Sequence, residues 1–174
     1  NAQSGPEGAR AIIGAGIIAG GMEMMDKPAI DAAEAFGHAG YPLDVEALLI
    51  IELDGPSVEV DELIKRVEAI AQACGSTSCQ ISTSEAERNL FWAGRKAVGR
   101  ISPDYLCMDG TIPRGALPKA LARIRDLSAK YDLRVANVFH AGDGNLHPLI
   151  LYDANQPGEI ERAEAFGADI LRAC

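Results

Sequence analysis

Two apolar runs, Arg134–His140 and Leu146–Tyr152, are separated by an interval containing Gly142-Asp143-Gly144-Asn145, and this interval limits the fold more than any other feature. A parallel connection needs a crossover of roughly a dozen residues or more, so two strands this close in sequence must pair antiparallel. A wholly parallel sheet is therefore excluded, although strand-like and helix-like segments alternate along the chain.

Upstream, the glycine-broken run Gly14–Met25 reads as a strand and turn, Ala29–Phe36 as a helix, and Ala47–Leu53 as a buried strand stopped by Asp54-Gly55-Pro56. Val60–Cys74 sets Leu63, Ile64, Val67, Ile70 and Ala71 at helical spacing, with Gly75 as its stop. Ser78–Ser82 reads as a short strand, and Ser84 with Glu87 forms a capping box for a helix through Lys96. Downstream, Asp104–Ile112 reads as a strand, and Pro118–Lys130 and Gly158–Cys174 as helices. The expected fold class is α+β, a ferredoxin-like antiparallel sheet with helices packed on one face.

Composition narrows the function. The chain has 174 residues, with 25 Asp or Glu against 16 Lys or Arg, a formal net charge of -9. Nucleic acids and anionic membranes need a cationic footprint, so neither is an expected partner. With one Trp, four Tyr and four Phe, the core must be built mainly from Ala, Ile, Leu and Val. The uncharged stretch Ala11–Met22 falls short of the roughly 20 apolar residues that span a bilayer. Cys74, Cys79, Cys107 and Cys174 have no Cys-x-x-Cys spacing, so free thiols in a reducing cytoplasm are expected. Asn1-Ala2 has the form of a protease remnant, and Cys174 closes an amphipathic pattern without a stop signal; a fragment of a longer protein is expected.

His140-Ala-Gly-Asp-Gly-Asn-Leu-His147 is the stretch that a fold alone does not explain. With Gly142–Asn145 as the loop, His140 stands directly opposite His147. Opposed Cβ atoms lie about 4.5–5.5 Å apart, within reach of one chelated ion. Asp143 is a third candidate ligand, although an Asp in a turn usually caps its own backbone. The alternative is a turn that needs positive φ, flanked by two solvated histidines. Gly14-Ala-Gly16 with Gly20-Gly21 lacks the Gly-x-Gly-x-x-Gly spacing of a dinucleotide site, and His38 has the place of a helix-terminal residue.

The segment His140-Ala-Gly-Asp-Gly-Asn-Leu-His-Pro148 resembles the signature of the C-terminal domain of FAD-linked oxidases, a family holding D-lactate dehydrogenases, D-2-hydroxyglutarate dehydrogenase and the D subunit of glycolate oxidase. Met22–Asp26, Phe91–Lys96 and Ser102–Pro113 resemble the same domain, and the likeness covers nearly the whole chain. The wording of Ile101–Pro113 and Tyr131–Gly158 is most similar to the glycolate oxidase branch.

This resemblance implies a cap domain that shapes the substrate pocket of an FAD-dependent 2-hydroxy acid dehydrogenase, oxidising glycolate to glyoxylate. D-lactate oxidation is the alternative within the family. A regulatory module that binds a metal or ligand is the alternative outside it. His140 and His147 are implied as ligands of zinc or another divalent metal, Arg95 as the contact to the substrate carboxylate, and Asn145 as a cofactor contact. The flavin would sit in a separate N-terminal domain, and a downstream Gly-Glu-His-Gly segment would supply the third ligand and a base. The implied partners are other glycolate oxidase subunits, through which a cytoplasmic protein would touch the membrane peripherally. Family members carry several more residues between Lys96 and Ala97, so the resemblance implies either a shortened loop there or, the favoured alternative, an omitted one.

Overall fold

The computed structural model of the chain describes residues 4–174. Its first half contains α1 (Ser4–Gly14), β1 (Gly21–Asp26), α2 (Lys27–Gly37), β2 (Ala47–Glu52), α3 (Ser57–Ala73) and α4 (Glu85–Ala97). Its second half contains β3 (Tyr105–Cys107), β4 (Gly110–Thr111), α5 (Leu117–Tyr131), β5 (Val135–His140), β6 (Asn145–Leu146), β7 (Pro148–Leu151) and α6 (Glu159–Ala173). The sheet runs β2-β1-β5, and the far edge of β5 is taken by β6 and β7, which pair in turn with β4 and β3. Every pairing is antiparallel, so the α+β class stands.

The helices do not all lie on one face. Successive strand residues point to opposite faces, and here both sets are apolar. Met24 and Phe139 belong to a core covered by α1, α3, α5 and α6, with Ile12, Ile124 and Phe166 among its fully buried side chains. Met25 and Val138, one residue along in each strand, belong to a second core under α2, with Ile30 and Tyr41. A strand buried on both sides reads as a continuous apolar run, which is how Met-Met and Val-Phe come to stand side by side.

Three local expectations are also corrected. Segment 78–82 forms no strand, because its polar side chains bond locally: Ser76 Oγ donates to the Ser78 carbonyl and Gln80 Nε2 to Glu87. The run Asp104–Ile112 is split into β3 and β4 at Met108-Asp109, opposite Pro148, which has no N–H to give the ladder. The run from Gly14 is not strand throughout: Gly14 ends α1, a helix whose glycines Gly5 and Gly8 let it lie close to Ala47 and Leu49. The capping box forms in a stretched version, with Glu87 N–H donating to Ser84 Oγ at 3.2 Å while Glu87 Oε2 accepts from Thr83 N–H at 2.7 Å. Helix α4 then runs unbroken across Lys96 and Ala97.

Candidate functional site

The histidines come together, by a route different from the expected one. The loop comprises residues 141–144, closed by Asp143 and Gly144 N–H groups donating to the His140 carbonyl, and His140 pairs with Asn145. Gly144 fixes this choice. Its φ is +75° and a Cβ would collide with the Ile112 carbonyl, so the left-handed turn residue falls there. The register is thus displaced by two residues from direct His140–His147 opposition. A two-residue displacement keeps both side chains on the same face, and the rings meet edge to face with centroids 5.1 Å apart.

Each imidazole is held by a carboxylate. Glu23 lies directly across from His140 on β1 and is only 5% exposed. Its Oε1 contacts His140 Nδ1, and its Oε2 accepts from Arg95 Nε at 2.9 Å. Cys107 pairs with Leu149 and Gly110 with Leu146 in one continuous register, which puts Asp109 opposite His147. His147 Nδ1 contacts Asp109 Oδ1 at 2.5 Å, and Asp109 is largely exposed. Glu23, His140, Asn145, His147 and Asp109 therefore form a row across the strands, on the face that carries α2 and α4.

Arg95 reaches this row from α4 because α4 sits unusually close to α2. Gly94 is the buried residue of α4; a Cβ there would lie 2.5 Å from the Ala39 Cβ and 2.7 Å from the Tyr41 ring. Tyr41 donates its hydroxyl hydrogen to the Phe91 carbonyl one turn earlier. Burial pushes the Tyr41 phenol up to about 12, so it remains a donor at neutral pH.

The four residues singled out by sequence, Arg95, His140, Asn145 and His147, thus share one face. Asp143 does not join them: it is exposed at the turn, and no group of three or more His, Cys, Asp or Glu forms a ligand set among the described residues. The three adjacent methionines of Met22–Asp26 are core residues. Glu23 and Asp109 were missed by sequence reasoning. The available signal for Glu23 was a lone acid inside the apolar run Met22–Met25; Asp109 had only the look of a turn residue.

The donor set suits a metal in part. Holding each Nδ1 by a carboxylate directs each Nε2 outward as a ligand, and His147 Nε2 is buried without a hydrogen-bond partner. Among the described residues the two imidazoles are joined by no third donor that would complete a ligand set. For a dinucleotide the fit is poor in this chain: Gly14-Ala-Gly16 follows the C-terminal end of α1, where the helix dipole disfavours phosphate. The larger groove, about 600 Å³ between α2 and the Arg134 end of β5, shares no residue with the polar row.

An α+β domain whose antiparallel sheet is buried on both faces, with a row of histidines and carboxylates beside one of the two cores, is the class that this architecture defines. The family "FAD linked oxidases, C-terminal domain" matches residues 2–174, and the chain belongs to it. It is 62% identical to glycolate oxidase subunit GlcD of Escherichia coli over 94% of the chain and 34% of that protein. It is 34% identical to the Bacillus subtilis glycolate oxidase subunit GlcD over 92% of the chain, and 28% identical to a D-lactate dehydrogenase of Anaerostipes hadrus over 87%. The chain spans about a third of the length of these curated relatives. Among solved structures, 4-ethylphenol oxidase from Gulosibacter chungangensis superposes with a TM-score of 0.56 over 88% of the chain and 37% of its own, at 12% identity, a likeness of fold. No helix among the described residues is long and apolar enough to cross a membrane.

Proposed function

We propose that the chain is the substrate-binding cap of an FAD-dependent 2-hydroxy acid dehydrogenase that oxidises glycolate to glyoxylate. The observation that carries this reading is the convergence of a guanidinium and two imidazoles on one sheet face, in a chain 62% identical to a glycolate oxidase subunit. With Nε occupied by Glu23, Arg95 presents its terminal Nη1 and Nη2 donors, whose fork matches a carboxylate. His140 and His147 are two ligands of a divalent metal, the third coming from the Gly-Glu-His-Gly segment of the remaining protein. A metal held there would supply Lewis-acid chemistry at the 2-hydroxyl, whose proton would pass to the base of the Gly-Glu-His-Gly segment as the C2 hydride passes to FAD. Asn145, in the same row, would be the contact of this chain to FAD, whose diphosphate would be held by the flavin domain. Other glycolate oxidase subunits are the partners.

The test uses the full-length, flavin-loaded protein with glycolate and D-lactate and an artificial electron acceptor. His147→Ala is expected to lower kcat by on the order of 10² with flavin retained. Arg95→Ala removes an anchor shared by ground and transition states, so KM should rise most, by roughly 30-fold. Parental kcat in the first variant and parental KM in the second, on both acids, sink the proposal. A preference for D-lactate keeps the chemistry and changes the substrate.

A further inference from the structure

The structure assigns Glu23 the role of a positioning residue that locks the substrate-carboxylate anchor and a metal ligand to one another; this rests on the function proposed above and deepens it. The carboxylate of a 2-hydroxy acid and its reacting hydroxyl are on adjacent carbons. The groups that meet them must therefore be held at one fixed separation. Glu23 is the shared attachment: Oε2 takes the Nε edge of Arg95, and Oε1 takes Nδ1 of His140. It is the acid that the described residues bury most completely, at 5% exposure, and it sits on the rigid interior of β1 with Met22 and Met24 buried on either side. Both of its bonds have chemical consequences. Taking the Glu23 bond at Nε leaves the terminal Nη pair of Arg95 uncommitted to it. Whenever the ring is neutral, an acceptor at Nδ1 places its hydrogen on Nδ1 and leaves the Nε2 lone pair for a ligand bond.

Glu23→Gln separates the two functions. The amide oxygen can still accept from Arg95, but the amide NH₂ faces Nδ1 and favours the opposite tautomer, with hydrogen on Nε2. In full-length, flavin-loaded protein, zinc affinity by calorimetry is expected to weaken by about 10- to 100-fold and kcat to fall by about 10-fold or more, with KM little changed. Glu23→Ala should raise KM as well, because Arg95 loses its tether. Selective ¹⁵N-histidine labelling at mildly alkaline pH reads the tautomer directly: hydrogen on Nδ1 of His140 in the metal-free parent, and on Nε2 in Glu23→Gln. If Arg95→Ala and His147→Ala impair turnover while Glu23→Gln keeps parental tautomer, zinc affinity and kcat, the positioning role is overturned and the function stands. If Arg95→Ala and His147→Ala leave turnover intact, the function itself fails. Should Glu23→Gln not fold, the parental spectrum alone decides, since hydrogen on Nε2 of His140 there contradicts the assignment.

Discussion

Two buried polar residues, Glu23 and Asn137, lie on opposite faces of the same sheet, and their partners differ in kind. Asn137 points with Phe139 towards the face covered by α1, α3, α5 and α6. Its backbone N–H and its Nδ2 both donate to Asp26, at 3.0 and 2.7 Å, and Asp26 also caps α2 by accepting from Ala29 N–H. These bonds close a corner of the fold. Glu23 points to the face that α2 and α4 cover only in part, and it bonds Arg95 and His140, which retain 24% and 42% side-chain exposure. Burying either group without a partner is costly, a carboxylate more so than an amide, so both are bonded. What distinguishes the two is whether the partners end in more backbone or in side chains open to a ligand.

Adjacent residues of β5 give the sharpest test of that division. Phe139 is fully buried against the dry core, and Phe139→Ala should destabilise the fold by about 3–5 kcal/mol in urea unfolding. His140→Ala, one residue along, should cost no more than about 1 kcal/mol, since a half-exposed ring leaves little cavity and Glu23 keeps its Arg95 bond. Comparable losses from the two substitutions would mean that both faces serve stability alike.

A smaller effect is expected where the partly covered face is assembled. Gly94→Ala pushes a Cβ against Ala39 and Tyr41, neither of which is a flexible side chain that can swing aside. Overpacking of this kind costs about 1–3 kcal/mol, and α4 must shift with Arg95 in its next position. KM for the 2-hydroxy acid should then rise more than kcat falls. Gly115→Ala, where a Cβ meets nothing within 4 Å, is the control and should leave both unchanged. An undisturbed KM in Gly94→Ala would show that Arg95 is placed by Glu23 alone.

The sequence carried the elements more fully than their arrangement. Of the six α-helices among the described residues, five were legible from apolar spacing and stop signals such as Gly75, whereas α1 was hidden because Gly5 and Gly8 lower its helical propensity while serving its close packing. The antiparallel sheet followed from one short interval. Which faces it buried did not, because a run such as Val138-Phe139 has the same appearance whether one or two cores receive it. For the site, the residue types were legible and the register was not: Gly144 against the Ile112 carbonyl is a contact between segments distant in sequence. Glu23 and Asp109 are cross-strand neighbours of the histidines, and cross-strand neighbours become visible only with the pairing.

A last expected effect, on the Asn137 side of the sheet, is a pH dependence of stability. Burial of the Asp26 carboxyl raises its pKa from 3.8 to about 6, and the hydrogen bonds from Asn137 and Ala29 N–H oppose that rise without cancelling it. Asp26 itself keeps some exposed surface, but both carboxylate oxygens are turned inward onto these donors. Between about pH 4 and pH 6 the folded chain therefore binds a proton that the unfolded chain has released. Stability falls as pH rises wherever the native state binds more protons, so this group should remove on the order of 3 kcal/mol across that window. Asp26→Asn has no proton to lose. It forfeits one acceptor for Asn137 Nδ2 and should be less stable than the parent at pH 4, with a deficit that shrinks towards pH 7. Urea midpoints of parent and variant at matched pH isolate this group from the other carboxylates, whose titrations are common to both. A deficit that grew with pH would mean that the hydrogen bonds outweigh burial and hold the carboxylate charged, making Asp26 and Asn137 an ionic cap instead of a desolvated one.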